Sequence, residues 1–229
     1  MKARRPPQPH ADKKKKILIV DDHSVVREGL ATVINQQPDL MVCAQADSAA
    51  KALSIIPAAM PDAAIVDISL EGRSGLELIK DLKARHPDLP VMALSMHDET
   101  LYAERALRAG ARGYVMKKES THDMVTGLRR VLEGGFHVSE RMASRILRQY
   151  ANHEPATPRS PVELLSDREL EVFQFIGQGV GTRQIAERLH LSMKTVSCYR
   201  QNIKTKLNLK NASELVSHAI HWASRQQVD

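Results

Sequence analysis

Between Ile17 and Glu133 the chain alternates short apolar runs with longer stretches of mixed character. The runs are Ile17–Val20, Met41–Ala44, Ala63–Val66, Val91–Leu94 and Gly113–Met116. Each is too short for a helix, and its unbroken apolar character suits a strand buried on both faces of a parallel sheet. Between them, Val25–Ile34, Ala49–Ile56, Leu76–Ala84, Leu101–Leu107 and Met124–Leu132 place apolar residues three and four apart, the period of a helix with one buried face. Ser48 and either Ser120 or Thr121 stand where N-caps belong. Pro38, Pro61, Pro87 and Pro90 fall between the predicted elements.

Five strand-then-helix units predict an α/β doubly wound, flavodoxin-like sheet with strand order 2-1-3-4-5. The pattern then changes. A helix is predicted over Ser139–Tyr150, and residues 151–162 carry three prolines without periodicity, as a linker does. From Leu164 strand signals cease and four helices are predicted, at 167–176, 182–189, 193–207 and 211–223. The expected organisation is a disordered basic tail over 1–16, an α/β domain over 17–134, a helix-bearing linker over 135–161 and a small all-α four-helix domain over 162–229.

Charge sharpens this division. Residues 1–16 carry a net +6, residues 17–159 a net −2, and the short stretch 183–210 again +6. A neutral-to-acidic body with a basic segment near its end points to a polyanionic partner at that end. Aromatics are only 3% of the chain, so the core falls to Ala, Leu, Ile and Val. Cys43 and Cys198 lie far apart, which suggests neither a disulfide framework nor a zinc site and suits a reducing cytoplasm. No run approaches the length needed to span a bilayer, and the basic N-terminus lacks the apolar stretch of a signal peptide. A cytoplasmic protein without membrane contact is expected.

The predicted strands end in residues of a particular kind: Asp21 and Asp22 after the first, Asp67 after the third, Ser95 after the fourth and Lys117 after the fifth. In a doubly wound sheet, ligands bind at the carboxyl ends of the strands beside the point where strand order reverses. With order 2-1-3-4-5 that point lies between the first and third strands. The second strand, at an edge, is the one that ends without such a residue. Three carboxylates this close call for a hard cation, and Mg²⁺ takes a few carboxylates together with water and phosphate oxygens. A carboxylate beside such an ion can attack phosphorus and form an aspartyl phosphate. Lysine and serine can each hold a phosphoryl oxygen. Asp67, ending the central strand, is the expected nucleophile. Singly, each residue has a plainer reading: Asp22 as an N-cap, Ser95 as a turn residue, Lys117 as a solvated loop lysine. Their joint placement at the ends of these strands favours the chemical one.

The segments ILIVDD, AAIVDISLEGRSGLEL, PVMALSMHD and AGARGYVMKK, in that order over about 17–133, are similar to a receiver domain of two-component signalling. The resemblance implies that Asp67 accepts phosphate from a sensor histidine kinase. It also implies Mg²⁺ held by Asp22, Asp67 and the Ser69 backbone carbonyl, with Asp21 assisting through water. Ser95 would be the switch hydroxyl, Tyr114 the aromatic that reports it, and Lys117 the partner of the phosphate. Ser69 and His97 stand where dephosphorylation is tuned. The chain departs from the family at Glu71, where proline is common, while Gly75 matches.

Residues 182–207 hold a short helix, a turn at His190–Ser192 and a longer helix, with Thr182 and Ser192 as candidate caps and Ala186 small enough for a close crossing. Helical spacing turns Val196, Ile203 and Leu207 inward and Lys194, Ser197, Gln201 and Lys204 outward, with Cys198 and Arg200 alongside. Such a helix suits the major groove of double-stranded DNA, where amides and hydroxyls read bases and cations neutralise phosphates. The stretch LSDRELEVFQFIGQGVGTRQIAERLHLSMKTVSCYRQNIKTKL resembles the LuxR-type helix-turn-helix, covering about 162–227. The two domains together resemble the NarL/FixJ family of response regulators. That implies base contacts from Ser197, Cys198 and Gln201 and backbone contacts from Lys194, Thr195, Arg200 and Lys204. Lysines are frequent in the family where this chain has Ser197 and Gln201, so operator preferences do not transfer. A homodimer on DNA is expected, with RNA polymerase as a further candidate partner. The expected product is a transcriptional regulator, not an enzyme beyond its own phosphotransfer. A phosphatase of the haloacid dehalogenase type would need an acid where Ser69 stands. A regulator that binds DNA constitutively would not need the full set of strand-end residues.

Overall fold

The computed structural model describes residues 14–96, 99–151 and 160–226. His97, most of the basic tail and the proline-rich part of the linker lie outside them. Five strands, β1 (Lys15–Val20), β2 (Leu40–Ala46), β3 (Ala63–Asp67), β4 (Val91–Ser95) and β5 (Gly113–Met116), form one parallel sheet in the order β2-β1-β3-β4-β5. The predicted order holds, and β1 and β3 meet at the switch point. Alternation along the strands divides the core. Ile17, Ile19, Ile65, Met92 and Val115 pack under α1 (Ser24–Asn35) and α5 (Thr121–Leu132). Leu18, Val20, Val66 and Ala93 face the other side, under α2 (Ala49–Ala59), α3 (Gly75–Arg85) and α4 (Glu99–Ala109). Both faces of the inner strands are covered, which is why β1, β3 and β4 read as unbroken apolar runs, whereas β2 at the sheet edge is buried only at Leu40 and Ala46 and leaves Met41 exposed.

Helix α3 begins where the backbone passes close to the end of β3. A Cβ added at Gly75 would lie 1.9 Å from the Asp67 carbonyl oxygen, so no larger residue fits. Ser74 caps α3 by accepting the Leu76 amide. Ser120 caps α5 through the Asp123 amide, resolving the choice between it and Thr121. Ser48 occupies the cap position of α2, but its hydroxyl donates to Asp47 instead of accepting a helix amide.

After α5 the chain returns to the sheet. His137 bridges to Gly113, and its carbonyl accepts the Tyr114 amide at 2.9 Å. Helix α6 (Glu140–Ala151) packs on α4, where Ser139 Oγ donates to Glu99 at 2.6 Å and Met142 is buried. The linker helix therefore belongs to the α/β domain. A short 3-10 turn, Pro161–Leu164, opens the second domain and was not predicted, being too brief to show a period.

The second domain comprises α7 (Asp167–Gly177), α8 (Thr182–Arg188), α9 (Met193–Lys206) and α10 (Ala212–Gln226) around Phe173, Ile176, Ile185, Val196, Ile203, Leu215 and Ala219. Ser166 and Glu169 form a reciprocal capping box at the start of α7. Ser192 caps α9 by accepting the Thr195 amide at 3.0 Å. Thr182 is not a cap: Gly181 takes that position and Thr182 is the first helical residue. The Gln184 side chain reaches back to the Gly181 amide, so the turn is closed without a hydroxyl. Among the described residues, no helix is long and apolar enough to cross a membrane.

The domains touch. Asp167, at the start of α7, lies 2.8 Å from Lys80 Nζ on α3 and 2.9 Å from Arg105 Nη1 on α4. Arg105 also donates to the Glu163 and Leu165 carbonyls. Burial works against the Asp167 carboxylate, but its bonds to Lys80 and Arg105 outweigh that and hold its pKa below the ordinary value.

Candidate functional sites: an acidic pocket and an exposed basic helix

The ends of four strands bring the expected residues into one pocket. Asp21 follows β1, Asp67 ends β3, Ser95 ends β4 and Lys117 follows β5; Asp21, Asp67 and Ser95 are all buried. Lys117 Nζ lies 2.7 Å from Asp21 Oδ2 and 2.8 Å from Asp67 Oδ2. The remaining oxygens are held by backbone. Asp67 Oδ1 accepts the Ser69 amide at 3.2 Å, and Asp21 Oδ1 accepts the His23 amide at 2.9 Å. The Lys117 amide in turn donates to the Ser95 carbonyl at 2.7 Å, which fixes β5 against β4 at the pocket floor. Tyr114 is buried on β5, three residues before Lys117.

One ammonium is thus divided between two buried carboxylates, with Asp22 close by. Burial pushes the Asp67 pKa up, and the Asp21 charge adds to the effect, against the pull of Lys117. Burial also opposes the Lys117 ammonium, but Asp67 and Asp21 outweigh it and raise its pKa. Ligand atoms of Asp21, Asp22, His23 and Asp67 all lie within 4.8 Å of one another. Three carboxylates facing a single ammonium, with their oxygens this close, fit a hard divalent cation such as Mg²⁺.

Three participants were missed by the sequence reading. His23 Nδ1 sits 2.8 Å from Asp22 Oδ1. Arg27 donates to the Asp21 carbonyl at 2.6 Å. The Glu71 amide donates to Asp22 Oδ2 at 3.2 Å. His23 follows the two aspartates directly, and that adjacency was the available signal. The other two depend on how α1 and the β3–α3 loop fold back.

On α9 the expected faces separate as the spacing implied. Val196, Ile203 and Leu207 are buried, while Lys194, Ser197, Cys198 and Gln201 are exposed. Thr195, Arg200 and Lys204 are half-buried at the margins. Thr195 Oγ1 is 2.8 Å from Ser192 Oγ, which draws it into the cap. Burial lowers the Arg200 pKa from its ordinary value. The docked α/β domain leaves the exposed face of α9 open.

Comparison with known proteins agrees with both halves. Residues 17–129 match the response regulator receiver domain, and residues 163–219 match the bacterial regulatory proteins of the luxR family. The oxygen regulatory protein NreC of Staphylococcus epidermidis is 35% identical over 210 residues, 90% of this chain and 96% of that protein. NreC of Staphylococcus haemolyticus is 34% identical over 209 residues, with the same coverage of 90% and 96%. Among solved structures, a two-component response regulator of the LuxR family from Aurantimonas sp. SI85-9A1 shares 29% identity at a TM-score of 0.56, covering 61% of this chain and 99% of that one. RcsB from Salmonella enterica serovar Typhimurium, bound to promoter P1flhDC in the presence of phosphomimetic BeF3−, shares the fold at a TM-score of 0.63 and 23% identity, covering 90% and 98%.

Proposed function

The chain belongs to the bacterial response regulators that join a receiver domain to a LuxR-type regulatory domain, and on that premise we propose that Asp67 takes a phosphoryl group from a sensor histidine kinase to control how α9 engages operator DNA. The observation that carries this reading is the Asp67 carboxylate itself: buried, held by Lys117 and the Ser69 amide, and crowded by two further acids.

In the transfer an Asp67 oxygen forms a bond to phosphorus while the bond from phosphorus to the kinase imidazole breaks, and the imidazole leaves with the electron pair. Lys117 stands where its ammonium can pass from the carboxylate to a phosphoryl oxygen, and Ser95 supplies a hydroxyl from the adjacent strand. Mg²⁺, held by Asp21, Asp22, Asp67 and the Ser69 carbonyl, would neutralise charge on the phosphoryl oxygens when bound. The added charge beside Ser95 and Tyr114 then shifts a pre-existing equilibrium between arrangements of the two domains.

In the output domain Ser197, Cys198 and Gln201 read base edges, and Lys194, Thr195, Arg200 and Lys204 meet phosphates. Exposed Ile220, beside Val216 along α10, offers an apolar strip on which two copies pair, matching a two-fold operator. The protein works in the cytoplasm as a regulator of transcription, with RNA polymerase as a further partner at the promoter.

The test is intact mass after incubation with Mg²⁺ and acetyl phosphate. The native chain gains one phosphoryl group and Asp67→Ala gains none. Equal gain by both would remove Asp67 from its role, and no gain by either, from this donor or a kinase, would leave a constitutive DNA-binding regulator.

A further inference from the structure

The loop between β3 and α3 touches both functional sites. At one end the Glu71 amide donates to Asp22 Oδ2 in the acidic pocket. One residue on, the Gly72 carbonyl accepts from Arg168 Nη2 of α7 at 3.0 Å. Gly72 has a φ of +78°, a conformation that favours glycine, and a Cβ there would lie 2.7 Å from His190 Cδ2. His190 occupies the turn between α8 and α9, two residues before the Ser192 cap of the DNA-facing helix. Arg168 continues the contact, reaching Glu77 on α3 at 3.3 Å and Glu171 on its own helix at 2.9 Å. Two adjacent residues of one loop therefore join a pocket carboxylate to the frame of the helix-turn-helix.

We propose that this loop carries the state of the acidic pocket to the DNA-binding domain: the domains stay docked while Asp22 holds the Glu71 amide and separate when that bond is lost. The proposal rests on phosphorylation of Asp67 and adds a route for its effect that does not run through Ser95 and Tyr114. Both Asp22 oxygens are engaged, Oδ1 facing His23 Nδ1 and Oδ2 accepting from Glu71. A carboxylate recruited to a cation and a phosphoryl group next door gives up electron density that these donors now share, so the Glu71 bond is the one that weakens. Once it does, the Gly72 carbonyl and the glycine surface under His190 move with the loop. The link needs an amide at position 71, which proline does not have.

Because the exposed face of α9 is open in the docked form, docking acts by fixing where the helix-turn-helix points and which face of α10 a second copy can reach. It does not act by covering the bases' readers. This distinguishes the device from simple masking.

The experiment is small-angle scattering on the full chain, native and as Glu71→Pro, Glu71→Ala and Arg168→Ala, before and after Mg²⁺ and acetyl phosphate, with intact mass read on every sample. Native protein and Glu71→Ala, which keeps the amide, are expected to be compact until phosphorylated and extended afterwards. Glu71→Pro and Arg168→Ala are expected to be extended beforehand. Amide exchange across 70–75 should quicken about threefold to tenfold on phosphorylation of the native chain, the worth of one such hydrogen bond. A Glu71→Pro chain that stays compact until phosphorylated overturns the proposal, whatever Arg168→Ala does. Failure of the native chain to gain mass would count against the phosphorylation reading alone, since the resting compactness of Glu71→Pro is read without any donor.

Discussion

Replacing Asp67 with asparagine removes one charge from a pocket where attraction and repulsion nearly balance. At 2.8 Å from Lys117, and with an effective dielectric constant of about 20, the attraction is about 6 kcal/mol. Asp21, with its ligand oxygen no more than 4.8 Å away, repels Asp67 by at least about 3.5 kcal/mol on the same scale. Asp22 adds a similar amount, reduced by its partial exposure to solvent. The two sides offset each other, and the burial of Asp67 then decides the sign, consistent with its raised pKa. A carboxylate whose pKa is higher folded than unfolded binds protons more tightly in the native state, so above that pKa its charge destabilises the fold. Asp67→Asn should therefore stabilise the metal-free receiver by about 1–2 kcal/mol at pH 7, or about 3–8 °C in melting temperature. Calorimetry in a chelator reads this directly. The gap should close as pH falls through the folded-state pKa of Asp67, where the native carboxyl takes up its proton. Mg²⁺ should raise the native melting temperature more than that of the variant, because a cation at ten times its Kd stabilises by about 1.4 kcal/mol and the variant binds it less well. A variant that melts lower than native protein in chelator at pH 7, or a gap that does not change with pH, would refute the reasoning.

Two further outcomes follow from the second domain. Phe173 is fully buried against His218 and Trp222, so Phe173→Ala should cost that domain about 3–5 kcal/mol. The chain's one tryptophan reports it, and urea unfolding followed by Trp222 fluorescence with an unchanged midpoint would contradict this packing. On DNA, Lys204→Ala should weaken binding to all sequences alike and reduce the salt slope by about 1, whereas Gln201→Ala should cost about 1–3 kcal/mol at the preferred operator and relax base choice there. Equal loss on specific and random DNA from Gln201→Ala would make it a phosphate contact instead.

The amino-acid order by itself determined the elements and the residues at their ends. Apolar runs of four residues set against helical periods place five strands and ten helices, because period and length are local properties that burial on one or two faces imposes directly. Asp21, Asp67, Ser95 and Lys117 were legible for the same reason: a strand ends where its apolar run ends, and a parallel sheet aligns those ends. The inward stripe of Val196, Ile203 and Leu207 told equally well which side of α9 is free.

What only the tertiary structure decided lies where residues distant in sequence share one partner. That Lys117 serves Asp21 and Asp67 together depends on β1, β3 and β5 arriving at one level. That α6 lies on α4, with His137 bonded to β5, depends on apolar faces that could have met either domain. The grip of Lys80 and Arg105 on Asp167, and of the Gly72 carbonyl on Arg168, joins residues 62 to 96 positions apart. Charged side chains on helix surfaces read in sequence as ordinary solvated positions, and nothing local marks which of them will meet a partner. Their pairing is set by how two finished domains fit, and so the residues that meet in the acidic pocket were legible in the chain while their connection to the helices of the second domain was not.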